Sequence, residues 1–493
     1  MSYKSTRGSS KEKSSSIAIL RGIAEDGGLY IPEEIPKINK DLQSLISYSY
    51  QELALYVLSL FFPEFSQEDL KTAISDAYDK SFSTPKITPI TKVEEVFFLE
   101  LFHGPTLAFK DIALTLLPKL IKLSANRENS HIQPVVLTAT SGDTGKAALQ
   151  GFAGAEEVKI IVFYPEDGVS PIQKLQMITQ EGNNAFVIGI KGNFDDAQRG
   201  VKELFKDETL KEKLKSKGYF FTSANSINIG RLIPQVVYYF YSYLSLLSNK
   251  EISLGEEINF AVPTGNFGDI LAGYYAKAMG LPINKLICAS NENNVLYDFF
   301  NTGIYDARRN LKVTSSPSMD ILVSSNLERL LYEVSGRDSI VVNSLMEELA
   351  QKGFYKITDE MRKELKDFYS GYSVEEEVSA SIADLYSRTG YLMDTHTAVA
   401  YSVFNKYKEI HKDNTKTIIL STASPFKFSN ALCRALSIDF SEDDIFSASY
   451  NLSEATGISI PRAIAELKEK DILHKDSCTS NEMKTKVQNI LHI

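Results

Sequence analysis

The sequence predicts an α/β protein built on parallel strands, and two observations carry that prediction. Between residues 134 and 223 short apolar runs alternate with stretches of helical spacing, and the alternation returns between residues 258 and 422. Parallel neighbours need helical crossovers, so this alternation points to βαβ units with right-handed connections rather than hairpins. In chain order, residues 92–102 (KVEEVFFLELF) read as a strand, and 106–125 as a helix with Lys110 in its first turns. Residues 134–140 (PVVLTAT), 158–165 (VKIIVFYP), 185–190 and 219–223 read as strands, separated by helices over 145–152, 170–180 and 194–206. A long helix over 229–247 precedes a strand at 258–263 (INFAVP), a helix at 268–279, and buried strands at 286–290 and 417–422 (TIILST). Residues 325–387 are rich in Leu, Glu, Lys and Arg without strand signals, which predicts a helical insertion. Residues 1 to about 90 and 430–493 read as mostly helical appendages, and no repeat of fixed period is present.

Composition narrows the class of function. At about 150 residues per domain, 493 residues make about three domains, and 43% hydrophobic with 24% charged residues is an ordinary globular mixture. Lys plus Arg number 53 against 63 Asp plus Glu, and the net charge of −10 repels nucleic acid and anionic membranes on average. No apolar run reaches a membrane span. Cys288, Cys433 and Cys478 are too scattered for a disulfide framework and the six histidines show no ligand spacing, so the expectation is a cytoplasmic protein with no metal. Residues 1–16 are basic and Ser-rich but lack the amphipathic apolar face of a transit peptide.

Three segments carry chemistry. VVLTATSGDTGK (135–146) joins a parallel strand to a helix through a Gly-containing loop, a geometry that offers unpaired N–H groups to an anion. A P-loop would need Gly at 140 and a hydroxyl at 147, where Thr140 and Ala147 stand, so nucleotide hydrolysis is disfavoured. PTGNFGD (263–269) makes a second such loop, and neither matches the dinucleotide pattern Gly-x-Gly-x-x-Gly. Open parallel sheets bind ligands outside the carboxyl ends of their strands, where both loops lie. In FHGPTLAFKD (102–111), Lys110 sits among Phe102, Leu107 and Phe109, and an apolar surround lowers a lysine pKa. A neutral amine there suits Schiff-base chemistry with a carbonyl cofactor, whereas a surface lysine lying along an apolar helix is the bland alternative.

These strings, in order with DGGLYIPEEIP (26–36), NSINIGRLIPQ (225–235), SPSMDI (316–321) and THTAVA (395–400), resemble the threonine synthase family, fold type II pyridoxal-phosphate enzymes related to the tryptophan synthase β chain. The resemblance spans nearly the whole chain. It implies two open parallel-sheet domains with an N-terminal mostly helical domain: residues 1–95, a large domain of 96–130 with 226–430, a smaller one of 131–225, and a helical region of 431–493. Lys110 would be the Schiff-base lysine that also moves protons. Gly265, Asn266, Phe267 and Gly268 would hold the phosphate of pyridoxal 5'-phosphate, and Asp143 and Thr422 would stand beside the cofactor ring, Thr422 at the pyridine nitrogen. Thr140, Ser141, Gly142 and Thr144 would surround the substrate carboxylate, while Asn225 and Arg231 would bind the substrate phosphate. For Arg231, an ion pair with an acidic neighbour is the plain alternative. Ser424 in STASPFKF replaces the family's usual His and leaves Lys427 in register.

The implied reaction turns O-phospho-L-homoserine and water into L-threonine and phosphate, the last step of threonine biosynthesis, in a monomer or homodimer. Two other outcomes stay open on sequence alone: a phospho-lyase that releases 2-oxobutyrate with ammonia, and a silent protein that binds the same ligands.

Overall fold

The computed structural model describes residues 1–8, 11–128, 132–140, 142–155, 157–166 and 169–493. Strand β1 (Tyr3–Ser5) pairs antiparallel with β2 (Tyr30–Pro32), and helices Tyr50–Phe61 and Gln67–Ala77 follow. β3 (Ile90–Val93) and β4 (Val96–Glu100) make a hairpin, and β5 (Gln133–Ala139), β6 (Lys159–Pro165), β7 (Ala185–Ile190) and β8 (Tyr219–Thr222) come next. β9 (Ile258–Pro263) and β10 (Ile283–Ser290) precede a short antiparallel pair, β11 (Ile304–Asp306) with β12 (Phe354–Lys356), and then β13 (Phe368–Tyr372), β14 (Thr417–Ser421) and β15 (Ser477–Cys478). The larger sheet runs β13-β10-β9-β14-β4-β3 and the smaller β15-β7-β6-β5-β8. Every pairing in both is parallel except the β3–β4 hairpin. The expected α/β architecture with two parallel sheets is therefore present. Every residue of β9 and of β14 is buried, which is why INFAVP and TIILS are continuous apolar runs rather than alternating ones.

Four expectations are corrected. Residues 92–102 do not form one strand but supply half of a hairpin, because the Glu94–Glu95 pair makes the turn, with Glu94 at a φ of +52°. The expected helix over 106–125 starts only at Lys110 and is split into Lys110–Leu114 and Leu117–Arg127, because Pro118 lacks an N–H and is tolerated only in a helix's first turn. The region 325–387 is not purely helical, since β13 is the edge strand beside β10. The region 431–493 likewise supplies β15, which closes the smaller sheet beside β7.

Helix Ile229–Ser248 is the spine of the molecule, buried over most of its length and packed on helices Tyr50–Phe61 and Gly268–Met279. It starts cleanly because the Asn228 side chain accepts the Gly230 N–H at 2.8 Å. The turn into helix Gly268–Met279 requires Phe267 at a φ of +64°. That conformation costs an L-residue about 1–2 kcal/mol. Burial of the Phe267 ring against Phe300 and Phe368 contributes about 1.5–3 kcal/mol, enough to hold the turn.

Candidate active site

The carboxyl ends of β4, β5, β9 and β14 open onto one cavity of about 1180 Å³, lined among others by Lys110, Asp143, Arg231, Gly265, Ser318 and Thr422. Most of the residues expected to act together are thus gathered from both sheets. Asn225, Asn266, Phe267, Gly268, Thr140 and Thr144 line it too. Gly142 is not among the lining residues, and Ser141 falls outside the described residues.

Lys110 is the first residue of its helix, placed by Leu107 at a φ of +62° and by the bridge of Ala108 to Ala423. The Phe109 N–H donates to the Thr422 carbonyl at 2.8 Å, which fixes Thr422 beside the lysine. The amine lies over the Phe109 ring, 4.6 Å from its centre, and donates to Ser318 Oγ at 3.3 Å. Burial pushes its pKa down to about 8; Asp143 opposes that shift, while the charges of Lys427 and Arg231 add to it. A substantial fraction of the amine is therefore neutral near pH 7.5, as nucleophilic attack on a carbonyl requires.

After β9 the chain passes through Gly265–Gly268 into a helix N-terminus, where backbone N–H groups favour an anion. Gly265 is required by close approach: a Cβ there would stand 2.6 Å from the Ser318 carbonyl. Asn326 holds the loop from below, its backbone and side-chain N–H groups donating to the Asn266 carbonyl at 3.1 and 3.0 Å.

Among the described residues Arg231 forms no ion pair with an acidic neighbour. Its Nη1 donates to the Ala224 carbonyl at 3.0 Å, its buried Nε has no partner among the described residues, and burial pushes its pKa down to about 10. An unpaired guanidinium on the wall of a cavity is built for a ligand anion, because leaving it unmatched costs its full desolvation. Asp269, at the same helix start, accepts from the Tyr238 and Tyr239 hydroxyls at 2.5 and 3.0 Å, and burial raises its pKa to about 6.

The loop after β5 is self-supporting. Thr140 Oγ1 accepts the N–H groups of Gly142 and Gly145 at 3.0 and 2.9 Å, which steadies the entry to helix Asp143–Phe152. Gly142 has a φ of +150°, and a Cβ on it would meet the Gln173 side chain at 2.6 Å. Asp143 is engaged as well: Lys427 Nζ lies 2.7 Å from Oδ1, and Gln173 Nε2 donates to Oδ1 at 3.0 Å. Burial pushes this carboxyl up, but Lys427 and Lys110 outweigh it and hold it well below the usual carboxylate range. Lys110 is 3.8 Å from Oδ2, so Lys427 is the true ion-pair partner and leaves the catalytic candidate free to lose its proton.

Sequence reasoning left Lys427, Gln173, Ser318 and His396 without roles. His396 accepts the Ser318 N–H at 3.1 Å through Nε2, and its Nδ1 is bonded to Asp394 at 2.8 Å. The available signal was that SPSMDI and THTAVA are distinctive strings whose polar residues had no assigned work.

The cavity fits a pyridoxal phosphate: a lysine with lowered pKa, a glycine cradle at a helix N-terminus and an unmatched buried guanidinium face one space. Comparison with known proteins agrees. Residues 2–78 match the family model "Threonine synthase N terminus", 82–423 match "Pyridoxal-phosphate dependent enzyme" and 397–471 match "Threonine synthase, C-terminal". A "Threonine synthase-like 1" protein of Pongo abelii is 38% identical over 496 residues, covering 96% of this chain and 65% of the relative, so the chain spans under two thirds of that protein. The threonine synthase of Schizosaccharomyces pombe is 39% identical over 469 residues, covering 89% of this chain and 90% of its own. The crystal structure of pyridoxal-phosphate-bound threonine synthase from Brucella melitensis superposes with a TM-score of 0.88 at 36% identity, covering 100% of this chain and 99% of that one.

Proposed function

The chain belongs to the threonine synthase family of pyridoxal-phosphate-dependent enzymes, and from that premise we propose that it converts O-phospho-L-homoserine and water to L-threonine and phosphate. The observation that carries the reading is the pairing of Lys110 with an unmatched, buried Arg231 in one cavity. The first serves amine chemistry and the second demands a substrate anion.

Pyridoxal phosphate, when bound, supplies the electron sink for negative charge at the substrate's Cα and Cβ. The chain's own residues do the rest. Backbone N–H groups of Gly265, Asn266, Phe267 and Gly268 hold the cofactor phosphate, and Thr422 presents a hydroxyl to the ring nitrogen. A hydroxyl does not force that nitrogen to carry a proton as a carboxylate would. Lys110 would hold the cofactor, and its neutral amine would be placed to take the protons from Cα and Cβ and to return protons as product forms. Arg231 and Asn225 grip the phosphate that leaves, so homoserine lacking it is a poor substrate. Thr144, on the cavity wall, would stand at the substrate carboxylate. Asp143 would hold Lys427 as its counter-ion. Three unpaired, buried cysteines support a cytoplasmic protein. Among the described residues no helix is long and apolar enough to cross a membrane.

The test is product analysis of purified, cofactor-loaded protein with O-phospho-L-homoserine, following threonine, 2-oxobutyrate and phosphate together. Threonine equal to phosphate is expected. 2-Oxobutyrate in its place would make the chain a phospho-lyase, and no phosphate release would overturn the catalytic reading.

A further inference from the structure

Ser318 is where three parts of the cavity meet. Its carbonyl presses on Gly265 in the phosphate cradle, its N–H is taken by His396, and its hydroxyl touches both Lys110 and Asp143. The turn that carries it, Pro317–Met319, is pinned on both sides: Thr395 Oγ1 donates to the Ser315 carbonyl at 2.7 Å, and the Asn291 amide donates to Ser316 Oγ at 3.1 Å. His396 can accept from Ser318 only through an unprotonated Nε2, which places its proton on Nδ1, directed at the fully buried Asp394. Asp394 is itself fixed as the N-cap of helix Thr395–His411.

The polarity of the hydroxyl follows from its neighbours. Asp143 is an acceptor only, so Ser318 donates its proton to Oδ2 at 3.4 Å, and only its lone pairs remain for Lys110 at 3.3 Å. Such a lone pair accepts one N–H of the amine and so fixes where Nζ points. Without the hydroxyl, Asp143 Oδ2 at 3.8 Å would be the next acceptor for Lys110 and would favour the ammonium form. The charged groups acting on the amine are Asp143 and Asp269 on one side of the balance and Lys427 and Arg231 on the other.

We infer that Ser318 is the positioning residue of this site, a hydroxyl that accepts from the Lys110 amine and keeps it from closing on Asp143, held in place by the His396–Asp394 pair. This deepens the proposed function and rests on it only for the identity of the amine's partner.

The experiment measures covalent capture of pyridoxal phosphate by cofactor-free protein, trapped with borohydride and mapped to Lys110, as a rate against pH. Binding of pyridoxine 5'-phosphate, which lacks the aldehyde, reports the phosphate cradle separately. In Ser318→Ala capture at pH 7.5 is expected to slow about tenfold, with its pH midpoint raised by about one unit, while pyridoxine phosphate binding stays within threefold. Ser318→Thr, which keeps the hydroxyl, restores rate and midpoint, and His396→Phe shows a smaller loss in the same direction. Equal capture rates in wild type and Ser318→Ala overturn the inference, and so does loss of pyridoxine phosphate binding in Ser318→Ala, which would make Ser318 part of the cradle. Capture differences that persist in a protein making no threonine would sink the proposed reaction while leaving the role of Ser318 intact.

Discussion

Two arginines, Arg231 and Arg329, are equally buried and their guanidinium pKa values are pushed down to about 10, in both with burial as the main cause, yet they stand in opposite situations. Arg329 is matched on every side: Nε donates to the Tyr30 carbonyl at 2.9 Å, Nη2 to the Ile227 carbonyl at 2.6 Å, and Nη1 to Asn326 Oδ1. It ties β2 and the start of the spine helix to the segment below the phosphate cradle. Among the described residues Arg231 makes one hydrogen bond, to the Ala224 carbonyl, and keeps Nε unmatched at the cavity. Burial alone therefore does not mark a functional cation. What marks it is a donor set that the fold leaves incomplete.

Removing the amine should have the largest effect: Lys110→Ala is expected to abolish covalent capture of pyridoxal phosphate and turnover, and appreciable threonine formation by that variant would break the assignment. Next, the two arginines should separate. Arg231→Met is expected to lower kcat/KM for O-phospho-L-homoserine roughly 100-fold or more with stability changed by about 1 kcal/mol or less, because a lone buried guanidinium is costly to the fold. Arg329→Met should instead cost about 3 kcal/mol in denaturant unfolding, since it strands three buried acceptors. Equal stability losses would erase the contrast.

A finer test concerns proton balance. Wild-type capture should rise with pH through about 8, where Lys110 loses its proton, and flatten above it. Asp143 opposes that lowering, so Asp143→Asn should move the midpoint below 8, the reverse of the Ser318→Ala shift. The smallest effect is inorganic phosphate as a stabiliser: at about 100 times its Kd it should add about 2.7 kcal/mol to wild type and far less to Arg231→Met. A full response in that variant would assign the anion to another group.

Four of the five strands of the smaller sheet, β5 to β8, were legible within a residue or so, because buried parallel strands write themselves as apolar runs. β13 was not: FYSGY is five residues long, contains a glycine, and pairs only at one edge, so it carries little periodic signal. In the site, Lys110 and both glycine loops were readable because each is local in sequence. Lys427 reaches back to the Thr106 carbonyl across 321 residues, and Ser318 meets His396 across 78. Such pairings leave no local pattern, and the support that Thr140 gives its own loop became visible only with that loop in place.

β15 has a consequence for how the protein is made. The edge of β7 receives its partner only from residues 477–478, which follow β14 in the chain. During synthesis the smaller sheet's four other strands are complete while this edge still shows bare N–H and C=O groups, through translation of β9, β10, β13 and β14 of the larger sheet. A nascent chain in that interval offers a template for wrong pairing, so a ribosome-bound intermediate should be more prone to aggregate than the finished protein.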